Sequence, residues 1–416
     1  MATLSSNPTT TRNGFLIIQL CSNNPQTFIF TAGSGETWIK IRLLSGATVL
    51  ATLKARPFDT SETCKFDVSP FLQSIRTLTD FTDNSRGITG FQFTGGIAND
   101  FSIEYQTDIV TSWTAIGEAN YIAISSAQPL GNANKGTLAE YVPLLSGSPR
   151  QLDFGGAFLT RFDCPVLWYY TDKTAPASAS DVSVWQPCLV VPIFNDGDRL
   201  VLRLIRAKWY IGATLIATQE TAETAGPDEV LLVPIPLAET YVWQANSLVI
   251  DLGTALGSPA TMDEACVNPL TFDIKQACNN PYALKWLNTL GGFDVWVFEG
   301  RAPRTLTVES EFGQYGVRVD NIATATETRN TYAREAVQEL ELFADQLTLN
   351  QVKALQEIIY SPIVRLFVGE LTAGTAFDDW HTVVVSEGDF TSYDTYDPKY
   401  KMSLSIGLPE IYHIDN

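Results

Sequence analysis

The chain is expected to be mainly β, built as several antiparallel β-sandwich units with an α+β domain at its C-terminal end. Three observations predict this. Apolar side chains over the first 265 or so positions recur every second residue, as in Ile39, Ile41 and Leu43 against Lys40 and Arg42, which is the period of a half-buried strand. Turn-forming groups such as Ser45-Gly46, Asn195-Asp196-Gly197-Asp198 and Gly226-Pro227 punctuate these runs. The clearest helix signal comes late, where Thr348 and Gln351 form a capping box ahead of Val352, Leu355, Ile358 and Ile359. At 416 residues the chain exceeds what one core fills. Three domains are expected: an N-terminal arm and sandwich over 1–114, a second antiparallel unit over 115–265, and the α+β domain over 266–416.

In chain order, residues 1–13 are polar, and a neighbouring subunit is the expected partner that holds them in place. Phe15 to Cys21 follows Arg12 and has the outline of a leader. Gln19 interrupts its short apolar run and no small-residue cleavage site follows, so a buried first strand is expected. Ile39 to Leu43 and Val49 to Leu53 form a hairpin around Ser45-Gly46. Cys64 to Val68 is a further strand, after which Ser69 caps a single helical turn begun by Pro70. Phe91, Phe93, Phe101, Ile103 and Tyr105 complete the first sandwich. Tyr121 to Ser125, Val166 to Tyr170, Cys188 to Phe194 and Leu200 to Ile216 supply strands for the second unit. Thr174 to Ser180 is a low-complexity loop, and Gly257 to Glu264 reads as a boundary.

Residues 278–301 hold the densest apolar and aromatic run of the chain. Asn280 and Pro281 are expected to open a short helix with Tyr282, Trp286 and Leu290 on one face. Gly291 and Gly292 would stop it and Phe293 to Phe298 would continue as a strand. Pro281, Trp286, Gly291, Gly292, Phe293 and Trp296 are therefore the expected structural anchor. Strand candidates follow at Thr305 to Val319, Thr331 to Phe343, Ile363 to Val368, Thr382 to Val385 and Met402 to Ile406, with Ser361-Pro362 ending the helix before them.

The order Cys278, Asn280-Pro281-Tyr282, Leu284, Trp286-Leu287-Asn288, Leu290-Gly291-Gly292-Phe293-Asp294 and an aromatic strand resembles a pattern in virion structural proteins of tailed phages that infect Bacteroidota. Phe66-Asp67-Val68-Ser69-Pro70-Phe71-Leu72 and Phe158-Leu159-Thr160 with Pro165 behind it resemble the same group. Leu347 to Leu408, through Ser361-Pro362-Ile363-Val364, is similar in outline to the end of tail and baseplate proteins. The resemblance implies a virion part assembled in the host cytoplasm, with a tail or baseplate ring or hub as the leading expectation and a neck or head-to-tail adaptor as its alternative. Its partners would be further copies of the chain in a ring and other virion proteins. Asn7, Arg12, Tyr393 and Tyr396 are the expected interface residues. A glycan-binding receptor or adhesin module on the same sandwiches is the reading from a different class, with a host-surface glycan as partner.

Composition excludes several functions. The formal charge of −19, with 46 acidic and 27 basic residues and no basic cluster, opposes nucleic-acid binding. No run approaches the ~18 apolar residues of a membrane span. Cysteines at 21, 64, 164, 188, 266 and 278 lack zinc-ligand spacing, and Cys266 with Cys278 is the one pair that could meet. His381 beside Asp378-Asp379 and His413 lack any nucleophile motif. Asp263-Glu264 and Glu309 with Glu311 read as ordinary loop and strand acids. Asn195, Asp196 and Asp198 lack the later ligands of a calcium loop, and the acids from Glu387 to Asp397 are a lesser cation candidate. Trp38, Trp168, Trp209, Trp286 and Trp296 read as core, and Trp113 and Trp243 as the exposed ones. The expectation is a protein with no enzymatic activity, no cofactor and no metal.

Overall fold

The computed structural model describes residues 2–7, 10–12, 15–17, 19–21, 25–58, 62–74, 92–93, 98–116, 121–124, 160–185, 189–192, 201–225, 230–233, 241–256, 261–265, 269–278, 281–299, 302–314, 329–372, 379–390, 400–408 and 414–415. It is mainly β, with antiparallel sheets predominating and one helix of three turns near the C-terminal end. Two parallel neighbours interrupt the antiparallel order: Gln19–Cys21 beside Tyr121–Ile124, and Val166–Tyr170 beside Leu270–Gln276. The chain divides into two compact units. The first takes Met1–Gln276, Leu287–Val295 and Glu370–Asp378, and the second takes Ala277–Trp286, Trp296–Gly369 and Asp379–Asn416.

The first unit opens with a two-layer sandwich. Alternation along Ile39–Ser45 sends Ile39, Ile41 and Leu43 inward, and along Ala98–Thr107 it sends Phe101 and Ile103 inward. These strands are neighbours, with Thr48–Ala55 on the outer edge and Tyr121–Ile124 on the other side. Facing them is a three-stranded sheet of Thr3–Ser6, Thr27–Thr31 and Thr63–Asp67, which contributes Phe28, Phe30, Cys64 and Phe66 to the same core. Aromatic rings meet between the layers: Phe28 stands edge-on to Tyr121 at 5.5 Å and Phe30 lies 5.5 Å from Tyr105. Edge and tilted pairs of this kind add about 0.5–1.5 kcal/mol each beyond the area they bury. Ser69–Ser74 forms the short helix expected after Pro70, with Leu72 in the core.

The start of the chain joins this sandwich. Thr3–Ser6 pairs with Thr27–Thr31, Ala2 is buried and its carbonyl accepts a hydrogen bond from Tyr105 Oη at 3.2 Å. This part of the arm is a strand of the first sandwich, with Ala2 in its core and Leu4 packed against it.

A second core in the first unit lies on a seven-stranded sheet whose path runs through Ser183–Trp185, Val166–Tyr170, Leu270–Gln276, Ser247–Leu256, Val201–Ile211 and Thr214–Ala225. Ile205, Ala207 and Trp209 form its inward row with Leu248, Ile250 and Phe272. Trp209 donates from Nε1 to Gln219 Oε1 at 2.8 Å, so the buried indole keeps its hydrogen bond. Arg206 and Lys208 turn outward and pair with Glu220 and Asp251. The first sheet reaches past residue 114 to Tyr121–Ile124, and the second reaches past residue 265 to Gln276.

In the second unit, Arg304–Gln314, Arg329–Leu347, Tyr400–Leu408 and Val384–Phe390 run antiparallel in that order. The helix Leu349–Tyr360 buries Val352, Ala354, Leu355 and Ile358, and Thr348 and Gln351 complete both halves of the capping box. Ile359 is a correction to the expected helix face: it is exposed, because one further residue rotates it about 100° from Ile358. Ser361 caps the other end. Among the described residues no helix is long and apolar enough to cross a membrane.

Two outcomes follow from these local bonds. Thr348→Ala removes the cap and should lower stability by about 1 kcal/mol, read as a lower urea midpoint. The Asp108 carboxylate accepts from Thr37 Oγ1 and from Thr37 N at 2.9 Å, and the Thr37 hydroxyl bond holds its pKa below the usual 3.8. A depressed pKa makes this tie complete above 3.8 and lost as pH falls through the lower folded value. An NMR titration should find Asp108 protonating below 3.8 together with movement of the Thr37 amide signal, and Asp108→Asn should abolish that movement.

Candidate functional site

The described part of the dense stretch, residues 281–299, is a hairpin. Tyr282–Leu287 and Phe293–Phe298 are neighbouring strands in a four-stranded sheet that continues through Val364–Phe367 to Trp380–Thr382. The expected helix over Tyr282 to Leu290 is therefore corrected to a strand followed by a turn. Tyr282, Trp286 and Leu290 are four residues apart, but all three positions are even, so one spacing serves a helix face and a strand face alike. Pairing with Val364–Phe367 decides between them, through Leu284 opposite Leu366 and Trp286 opposite Val364.

All six residues of Phe293–Phe298 are buried, as are Pro281, Trp286, Gly291 and Gly292. At the tip, Asn288 organises the turn with both ends of its side chain. Its Oδ1 accepts from Leu290 N and from Gly292 N, each at 3.0 Å, while its Nδ2 donates to Asp294 Oδ2 at 2.9 Å. Gly291 sits at φ +97°, a conformation that an L side chain resists. Asp294 is only 3% exposed. Its Oδ1 accepts from Thr160 Oγ1 at 2.6 Å and its Oδ2 from Arg161 N at 3.2 Å. Buried ionised carboxylates need such donors, since an unmatched charge costs several kcal/mol. The anchor's polar groups thus tie the tip to Thr160 and Arg161 within the first unit.

Asn288 and Asp294 were missed as members of the anchor. An Asn three residues before a glycine was the available signal for Asn288; nothing local marks Thr160, 134 positions earlier, as the partner of Asp294. In the second unit Lys285 is fully buried, with its ammonium 4.6 Å from the Trp380 ring centre, and Phe367 meets the same ring at 5.6 Å.

The other expected sites are dispersed. Asn7 is half-buried after the first strand, and Arg12 pairs by backbone with Phe15. Tyr393, Tyr396, Cys266, His413, Asp378 and the Asn195 to Asp198 turn lie outside the described residues. Cys278 is a free, exposed thiol. His381 lies on the edge strand Trp380–Thr382, 55% exposed, with Asp379 Oδ1 at 3.7 Å from Nε2. The backbone places Asp263 and Glu264 in Thr261–Ala265, and Glu309 and Glu311 in Arg304–Gln314. Among the described residues no group of three His, Cys, Asp or Glu side chains is arranged to hold a metal ion.

The tryptophans expected in the core divide. Trp168, Trp209, Trp286 and Trp296 are buried, whereas Trp38 is half-buried on the outer face of the first sandwich. Trp113 and Trp243, expected to be exposed, are half-buried too. Cations cover the outer rings: Lys54 Nζ stands 4.4 Å from the Trp38 centroid, and the Arg42 guanidinium 4.6 Å from that of Trp113.

No protein-family model and no curated protein matches the chain. Among solved structures it is similar to the fibronectin(III)-like modules of Clostridium thermocellum CbhA, at 10% identity over 66% of this chain and 95% of that one, with a TM-score of 0.16. A superposition that loose carries no argument about this chain.

The turn chemistry sets its own test. Gly291→Ala should cost about 1–2 kcal/mol through left-handed strain. Asp294→Ala should cost about 3 kcal/mol or more by leaving buried donors without their acceptor. Thermal melts of both variants should fall in that order, and equal melting of Asp294→Ala and wild type would show the carboxylate to be dispensable.

Proposed function

We propose that this chain is a structural, non-enzymatic component of a tailed-phage virion, a tail or baseplate ring or hub protein that works through contacts between its own copies. The supporting observation is the use made of the anchor's polar groups. Asp294, a buried carboxyl of the aromatic anchor, has oxygens engaged by Thr160, Arg161 and Asn288. A carboxyl group held by these three donors positions a backbone, which is a structural use of a buried polar side chain. The resemblance of residues 278–298 to virion proteins of phages infecting Bacteroidota points the same way. A ring follows from physical economy, since repeated heterologous contacts that close give a finite assembly. A neck or head-to-tail adaptor would use the same contacts at another level of the particle.

Purified full-length protein should form one closed oligomer in sedimentation velocity and appear as rings in negative stain. Antibodies raised against it should decorate the tail region of intact particles. A monomer at all accessible concentrations that hydrolyses a polysaccharide or an ester would overturn the reading.

A further inference from the structure

Two outward sheet faces, one in each unit, carry the same pattern with opposite charge. In Ile39–Ser45 and the residue before it, burial of Ile39, Ile41 and Leu43 leaves Trp38, Lys40 and Arg42 on the outer face. Lys54 stands directly opposite Lys40 on the edge strand Thr48–Ala55. Both ammonium groups gather at the Trp38 ring, 5.7 Å and 4.4 Å from its centre. Arg42 is paired with Glu104, but neither lysine meets a carboxylate among the described residues. Like charges placed opposite each other on a sheet are destabilising, and here they persist in a chain of net charge −19.

The second face is on Arg329–Leu347. Leu340, Leu342 and Ala344 are buried, so Glu339, Glu341, Phe343 and Asp345 point outward. The residues across from them are Thr305 opposite Glu339, Ser405 opposite Glu341 and Ser403 opposite Phe343, none of them cationic. No cation pairs with the three carboxylates among the described residues. Trp38, Lys40, Arg42 and, read backwards, Phe343, Glu341, Glu339 are each an aromatic residue followed by two charges at two-residue steps of about 6.7 Å.

We propose that these faces are the two halves of one contact between copies: the Trp38, Lys40 and Lys54 face of one copy docks on the Glu339, Glu341 and Phe343 stripe of the next. This rests on the self-assembly reading above and names the surfaces it would use. Each lysine reaches its carboxylate on a flexible four-carbon stem, and the aromatic ring beside each charge row supplies the apolar anchor that interface centres favour. Every copy would carry one of each face, so the contact is heterologous and can propagate around a ring.

Sedimentation velocity on the full chain tests this with Lys40→Glu/Lys54→Glu and Glu339→Lys/Glu341→Lys. Each double variant should weaken self-association at least about tenfold, since like charges then face each other. An equimolar mixture should regain assembly, because each variant then offers the other a complementary face. Raised salt should weaken the wild-type contact in the same assay. The neutral pair Lys40→Gln/Lys54→Gln should weaken it less, with an unchanged melting curve that separates docking from folding. Association unaffected by the reversals would overturn the inference, as would loss in two folded variants with no recovery on mixing. So would a loss confined to retention on dextran sulfate, which would assign the cationic face to an acidic polysaccharide. Failure of the assembly reading itself would look different: the unaltered chain would remain monomeric throughout.

Discussion

The buried carboxylate of Asp294 is the constraint around which the anchor is arranged. A carboxyl group at 3% exposure is tolerable only with hydrogen-bond partners in place, and the chain supplies them from Thr160, Arg161 and Asn288. Asn288 donates to Asp294 from Nδ2 while its Oδ1 accepts from the amides of Leu290 and Gly292. That geometry requires the backbone to reverse at Gly291, where φ is positive. The buried carboxyl, the turn and the glycine are thus parts of one hydrogen-bonded arrangement at the tip of the hairpin whose strands carry Trp286 and Trp296. Hydrophobic burial drives such a stretch together without direction. The polar network gives it a single register.

Legibility in the sequence followed the range of the interactions. The hairpin of Ile39–Ser45 and Thr48–Ala55, the helical turn after Ser69 and the capping box of Thr348 with Gln351 are local devices, settled within a few residues. The segment from Tyr282 to Leu290 was not legible in the same way. A strand buried on both faces loses its alternation and reads as a continuous apolar run, and residues at even spacing satisfy helix and strand together. Its sheet neighbour, Val364–Phe367, lies about 80 residues further on. The arm shows the same limit: Ala2 and Leu4 look incidental in a polar segment until Phe28, Phe30 and Tyr105 are assembled around them. Of the anchor's polar ties, Asn288 was within reach of turn chemistry, whereas the Thr160 bond was not.

The outward faces were legible in half. Alternation alone places Lys40 and Arg42 opposite the core, and it places Glu339 and Glu341 likewise. What the chain order withholds is pairing. Arg42 finds Glu104 on the neighbouring strand, Arg206 finds Glu220 and Lys208 finds Asp251. Exposed pairs of that kind contribute less than about 1 kcal/mol each, so they record local neutralisation more than stability. Against that background, Lys40 facing Lys54 stands out as a place where the sheet keeps like charges together.

In the proposed contact between copies, a large net negative charge and a small cationic face would act jointly on association. With 46 acidic side chains against 27 basic ones, two copies approaching at random repel each other. Repulsion of that kind suppresses misaligned encounters, and an approach that brings the cationic face toward an acidic stripe escapes it. A contact selected in this way need not be large or strongly apolar to be specific, because the rest of the surface argues against every other orientation. Under the proposed assembly the labour divides: burial and buried hydrogen bonds fix the shape of each unit, and the distribution of surface charge would decide which surfaces meet.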